Sequence, residues 1–212
     1  MGSGKGKTRR VSTSLASKID VFSLYEAGFP LSKVERLFAL GYTSEEDDYL
    51  VNQLARHGSL RETDRRDRAG SGLSLEEAEA LAAESTEVLD EICARACTPV
   101  DLEVWRGINH GDQVNVGDVI TEPSFVSTSP DRRLAEYFLE WVDEDEAPHQ
   151  EATLLQIRVP AGSKAAPLPV EQPGFAGARE LLLARNTVLR VLAERDENGQ
   201  RILEVVAETP LV

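Results

Sequence analysis

The chain has 212 residues, 41% of them hydrophobic and 28% charged, with a formal net charge of −14. That balance suits one sizeable buried core and excludes a collagen-like, low-complexity or wholly disordered chain. No stretch approaches the roughly 20 consecutive apolar residues of a membrane-spanning helix, and no apolar run follows the basic start as a signal peptide requires. A cytoplasmic protein without membrane partners is therefore expected, acting in its own cell or in a target cell after delivery. Cys93 and Cys97 stand four residues apart on a predicted helix, poor geometry for a mutual disulfide, and both read as small buried or half-buried residues. His57, His110 and His149 are scattered, so no metal centre is expected.

Charge is uneven along the chain. Lys5, Lys7, Arg9 and Arg10 give residues 1–10 a charge of +4, so the remainder, with 19 basic against 37 acidic residues, carries −18. So acidic a body repels a polyanion, which disfavours sequence-independent nucleic-acid binding. Residues 1–19 read as a flexible basic arm. Within it Gly6-Lys7-Thr8 ends like a phosphate-binding loop, but Met1 stands where the first glycine is required and no strand precedes it.

Helices are predicted for the part from 20 to about 98, and strands dominate 99–212. Leu31, Val34, Leu37, Phe38 and Leu40 recur at helical spacing until Gly41-Tyr42-Thr43. Ser44 and Glu45-Glu46-Asp47-Asp48 read as the cap and acidic first turn of a helix through Leu50 and Leu54 that ends near Gly58. Residues 61–72 are polar, a predicted loop. Ser74 and Glu77 form a capping box ahead of a long helix to about Cys97, which Thr98-Pro99 stops. Short Val/Ile/Leu-rich runs follow at 102–105, 119–120, 124–128, 152–159, 180–183, 188–193 and 202–206, with Asn198-Gly199 joining the last two as a hairpin. One helix interrupts them, from about Pro130 to Trp141, and an acidic loop covers 143–146. Helices followed by strands indicate an α+β fold.

Three segments of the strand-rich part stand out: Val104-Trp105-Arg106-Gly107, Phe125-Val126-Ser127-Thr128-Ser129, and Phe175-Ala176-Gly177-Ala178-Arg179-Glu180-Leu181-Leu182-Leu183. Each alone has a plain explanation: a solvated arginine, a helix cap, an exposed strand edge. In this order, with Ser127 21 residues after Arg106 and Glu180 53 after Ser127, they resemble the arginine–serine–glutamate class of ADP-ribosyltransferases. Tyr42-Thr43 followed by Tyr49, Asn52 and Leu54 is similar to the helical region of exoenzyme-type members, and Thr98-Pro99-Val100-Asp101-Leu102 to their lead-in to the arginine strand.

The resemblance implies a single domain over 20–212, with N-terminal helices packed on a two-sheet mixed β core. It implies a mono-ADP-ribosyltransferase that consumes NAD as a substrate, needs no metal, and transfers ADP-ribose to a macromolecular acceptor, with protein the leading class. NAD glycohydrolysis, nucleic-acid modification and a non-catalytic interaction module are the alternatives. Glu180, Arg106 and Ser127 are the implied catalytic set. A carboxylate at 180 can stabilise the oxocarbenium-like sugar that forms when the nicotinamide–ribose bond breaks. Arg106 offers a guanidinium fork for the NAD pyrophosphate or ribose, and Ser127 a hydroxyl that orients Glu180 and the sugar. Trp105, Gly107, Thr128 and Ser129 complete the implied NAD site, Gly107 by leaving room for the nicotinamide amide. The loop before Glu180 governs the acceptor in this class, and here Ala178 stands where a Glu or Gln is usual. Phe175 and Arg179 are then the side chains expected to meet the acceptor, although strand alternation with Glu180 would turn Arg179 away from the cleft.

Overall fold

Among the described residues, four helices occupy the first half of the chain, and those with visible caps start where the sequence supplies them. The structure is a computed structural model that describes residues 20–43, 47–61, 72–108, 114–140, 152–169 and 179–209. The basic arm, the acidic loop, Phe175 and Ala178 lie outside the described residues. Asp20 accepts the Ser23 N–H to open α1 (Val21–Gly28), a helix too short for its apolar period to be read from sequence. Reciprocal capping boxes, Ser32 with Glu35 and Ser74 with Glu77, open α2 (Lys33–Tyr42) and α4 (Leu75–Arg95). Each satisfies N–H groups that a first turn leaves without partners, worth about 1 kcal/mol. Between them, α3 (Asp47–His57) ends at Gly58, whose φ of 74° is the left-handed turn that glycine tolerates. α4 stops two residues before Cys97, because Ala96 turns to extended backbone, and this leaves Cys97 exposed while Cys93 is buried as expected. No helix among the described residues is long and apolar enough to cross a membrane.

Two sheets follow. β1 (Leu102–Ile108), β2 (Val119–Glu122), β4 (Thr153–Val159), β7 (Thr187–Glu197) and β8 (Gln200–Glu208) form a mixed sheet in the order β1-β4-β8-β7-β2. Its one parallel pair is β4 with β8. The second sheet is antiparallel, β3-β6-β5, built from β3 (Val126–Thr128), β5 (Ala165–Pro169) and β6 (Arg179–Leu183). α5 (Arg132–Glu140) follows β3. Asn198 and Gly199 turn the β7–β8 hairpin with φ of 56° and 86°. β5 is absent from the predicted strands because Pro167 and Pro169 argue against a strand; at the edge of its sheet the missing N–H donors are tolerated.

The elements stack in layers. One face of the small sheet meets the large sheet through Val126, Leu181 and Leu183 against Val104, Ile157, Leu203 and Val205. Its other face meets the helices through Ala166, Leu168 and Leu182 against Tyr42, Leu89 and Ile92. β6 is thus covered on both sides, which is why Leu181, Leu182 and Leu183 run without alternation and are all fully buried. On the far face of the large sheet α5 lays Ala135 and Leu139 on Trp105, Leu154 and Ile202. One backbone pair ties the sheets together at their edges: Trp105 N–H donates to Ser129 O at 2.7 Å and Ser129 N–H to Trp105 O at 2.9 Å.

Gly107 shows what this packing demands. A Cβ there would stand 2.7 Å from Ala135 O and 2.8 Å from the Leu139 side chain, so the bare backbone is required by α5 itself. Gly107→Ala is expected to push α5 off β1 and cost about 1–3 kcal/mol, as overpacking does. Thermal unfolding of the variant should show a midpoint several degrees lower.

Candidate active site

The layering brings the three implied catalytic residues to one cleft. On β1, Val104 points between the sheets, Trp105 under α5, and Arg106 inward again. The Arg106 Nη1 donates to Ser127 O at 2.8 Å, so the guanidinium braces the strand that carries the serine. On β3 Val126 faces the sandwich, which leaves Ser127 on the helix side, beside Tyr42. Glu180, at even spacing from Leu182 on β6, shares that side. Arg106, Ser127 and Glu180 then wall one cleft of about 250 Å³ with Thr43 and Asp48 from the helices and Phe138 from α5.

A hydrogen-bonded chain runs into that carboxylate. The Asn52 amide donates to the Tyr42 hydroxyl at 3.2 Å, and the Tyr42 hydroxyl lies 3.2 Å from Ser127 Oγ. Ser127 also bonds the Glu180 carboxyl. A hydroxyl has one proton. When Glu180 is ionised it accepts the Ser127 proton, and Tyr42 is then the donor to Ser127. Burial, first, and the charge of Glu180 push the Tyr42 phenol above its ordinary range, which keeps it a donor. Its ring is only 1% exposed and meets Phe125 edge-on, with centroids 6.0 Å apart.

The carboxylate at the end of the chain is held against its own preference. Burial raises Glu180 to about 7, and the charge of Asp48 pushes the same way, while the Ser127 hydroxyl and the Arg106 guanidinium oppose it. Desolvation wins because Oε1 is shut from solvent with no hydrogen-bond partner. Buried Cys93 lies within reach of the same charge, which helps to push its thiol up, after burial itself.

Several of the implied NAD-site residues have structural commitments. The Thr128 hydroxyl donates to Leu181 O at 2.6 Å, and Ser129 Oγ accepts the Asp131 N–H at 3.0 Å ahead of α5. Trp105 is 8% exposed, and the Arg132 guanidinium lies 5.1 Å from its ring centroid. Arg179 borders the cleft, but its guanidinium bonds Asp20 and Ser23 Oγ and covers the Phe22 ring. The Ser23 hydroxyl and then Arg179 hold Asp20 down at about 2. The cation next to Glu180 thus borders the cleft while tied to the cap of α1.

Sequence reasoning did not assign roles to Tyr42, Asn52 or Asp48. Tyr42 and Asn52 are quoted for the resemblance, and Asp48 is read only as a first-turn acid. The available signal is the i, i+4 spacing of Asp48 and Asn52, which puts both on one face of α3.

Removal of the buried charge should change stability with a definite sign. An acid raised in the folded state binds its proton more tightly there, so the wild type loses stability as pH rises from about 4.5, the unfolded value, to about 7. Glu180→Gln lacks that loss. Thermal midpoints should therefore diverge in favour of the variant across this window and run parallel above it.

No protein-family model matches the sequence, and no curated protein matches it. Solved structures do. The ADP-ribosyltransferase Vis aligns over 90% of this chain and 82% of its own at 18% identity, with a TM-score of 0.60. The C3 exoenzyme of Clostridium limosum aligns over 88% and 90% at 17% identity, with a TM-score of 0.57. Plx2a, an ADP-ribosyltransferase toxin from Paenibacillus larvae, aligns over 89% and 91% at 16% identity, with a TM-score of 0.57. The layered helices, mixed sheet and small antiparallel sheet of this chain are those of the ADP-ribosyltransferase exoenzyme fold.

Proposed function

We propose that this protein is an NAD-dependent mono-ADP-ribosyltransferase that breaks the nicotinamide–ribose bond and passes ADP-ribose to a protein. The observation that carries the reading is the desolvated Glu180 carboxylate, aimed by the Tyr42–Ser127 chain into a cleft that also holds Arg106, in a chain of this fold. In NAD the ribose carries a pyridinium, and bond breaking moves positive charge onto the sugar. A carboxylate poorly solvated before reaction gains most from that charge when it develops, so the gain falls in the transition state. A cationic substrate also favours the ionised form of Glu180 over the protonated one. Arg106 spends one N–H on Ser127 O and has further donors for the dinucleotide's pyrophosphate or ribose.

The acidic body of the chain favours a protein acceptor over a nucleic acid. Incubation with labelled NAD and a cell lysate, under nuclease and protease controls, tests this. Protease-sensitive label is the expected result. Nuclease-sensitive label would make the acceptor a nucleic acid, free ADP-ribose alone would make the protein a glycohydrolase, and neither would remove the enzyme reading.

Glu180→Gln should lower nicotinamide release at least ~100-fold while calorimetry still detects NAD binding. Arg106→Lys should instead weaken NAD binding about tenfold or more, the value of a charged hydrogen bond, because the fork is lost although the charge remains.

Vis has been crystallised in complex with agmatine, a small guanidine. Ala178 offers only a methyl group two positions before Glu180, unable to activate or bond a nucleophile. The wild type is therefore expected not to modify agmatine, and Ala178→Glu is expected to introduce that activity by adding a base. The mass of the small acceptor after incubation with NAD checks both.

A further inference from the structure

Two carboxylates stand among the described residues of the cleft wall, Glu180 from β6 and Asp48 from the first turn of α3. Transfer of a ribosyl group sets two tasks for negative charge: stabilising the sugar cation, and taking the proton that the incoming nucleophile must lose. Glu180 cannot do both at once, because accepting a proton would abolish the charge that stabilises the sugar.

Asp48 has the position for the second task. It borders the same cleft as Glu180, and its charge acts on Glu180 and on the buried Tyr42 hydroxyl. One turn later on the same helix, Asn52 donates to Tyr42, which anchors this face of α3 to the Tyr42–Ser127 chain. The first turn of a helix also favours a negative charge. Of the other charged groups near Glu180, Arg106 and Arg179 are cations that accept no proton, and Arg179 is bonded to Asp20. Two acids in one cleft, one buried against the small sheet and one at a helix start, are the arrangement from which divided roles arise.

We propose that Asp48 is the general base that accepts the proton of the incoming acceptor. This rests on the ADP-ribosyl-transfer reading and deepens it. The acceptor's lone pair forms the new bond to the ribose anomeric carbon, the bond to nicotinamide breaks with its electron pair leaving on the pyridine nitrogen, and the acceptor's proton passes to the Asp48 carboxylate. The positive charge lost by the pyridinium and the negative charge lost by Asp48 cancel, and Glu180 stays ionised throughout.

The test uses the full chain with Asp48→Asn and Asp48→Ala, each checked for an unchanged thermal midpoint, and reads nicotinamide release from NAD with and without sodium azide. Azide is an anionic nucleophile with no proton to remove. Both variants should lose about 100-fold or more of the release seen with the wild type. Azide should restore turnover to Asp48→Ala with ADP-ribosyl azide as the product by mass, and should not restore Glu180→Gln. Release by Asp48→Asn within a few-fold of wild type, or faster, would overturn the proposal and reduce Asp48 to a charge that tunes Glu180. A loss that azide leaves unrepaired in both Asp48 variants would overturn it too, making the residue structural or substrate-positioning. A wild type that releases no nicotinamide, even with lysate present, would instead overturn the transfer reading itself, and the base with it.

Discussion

The backbone pair between Trp105 and Ser129 is where the two sheets become one site. Across the rest of their described interface the sheets pack through apolar side chains, which are not directional; two opposed N–H···O bonds are. Their effect is to dock the arginine strand alongside the serine strand, so that Arg106 reaches Ser127 O and its charge is felt at Glu180. The short hydroxyl-rich run 127–129 divides its labour around this joint. Ser127 faces the carboxylate, Thr128 locks to Leu181 O on β6, and Ser129 supplies the bridge and the turn into α5.

That joint supports an arrangement costly to the folded protein. Glu180 is half-buried with its Oε1 shut from solvent, and neither Ser127 nor Arg106 offsets the lost hydration. A solvated carboxylate at the same place would be content before the reaction and would have little to gain during it. In the proposed reaction the same burial that strains the folded state makes the charge useful, so stability is given up at the residue proposed to act.

The helices help to build the cleft rather than only cover the sheet. β6 is sealed on one side by the large sheet and on the other by α2 and α4, and it is the helix side on which Ser127 and Glu180 emerge. Tyr42 closes that side, holding the proton chain and excluding water with the same ring. α1 contributes differently. Its cap residue Asp20 and Ser23 hold Arg179, and the Tyr25 hydroxyl donates to Ala165 O at 2.6 Å on β5, so one short helix pins two strands of the small sheet.

Much of this was legible in the order of residues. Capping boxes, the Asn198-Gly199 turn and the uninterrupted leucines of β6 depend on neighbours a few positions apart, so the sequence alone determines where those elements start, turn and become buried. The segments around Arg106, Ser127 and Glu180 were recognisable for a related reason, since each is a local run of fixed chemistry. Other features were decided only by tertiary structure. β5 was hidden because its two prolines are acceptable only at a sheet edge, and which strand lies at an edge is a property of the assembled sheet. Gly107 lines the cleft, but that its missing side chain is also demanded by α5 is visible only once the helix is packed on β1. Tyr42, Asn52 and Asp48 lie more than 50 residues before the strands they serve. Their roles come from desolvation and from hydrogen bonds across that distance, and neither quantity exists until the helices are packed on the sheet.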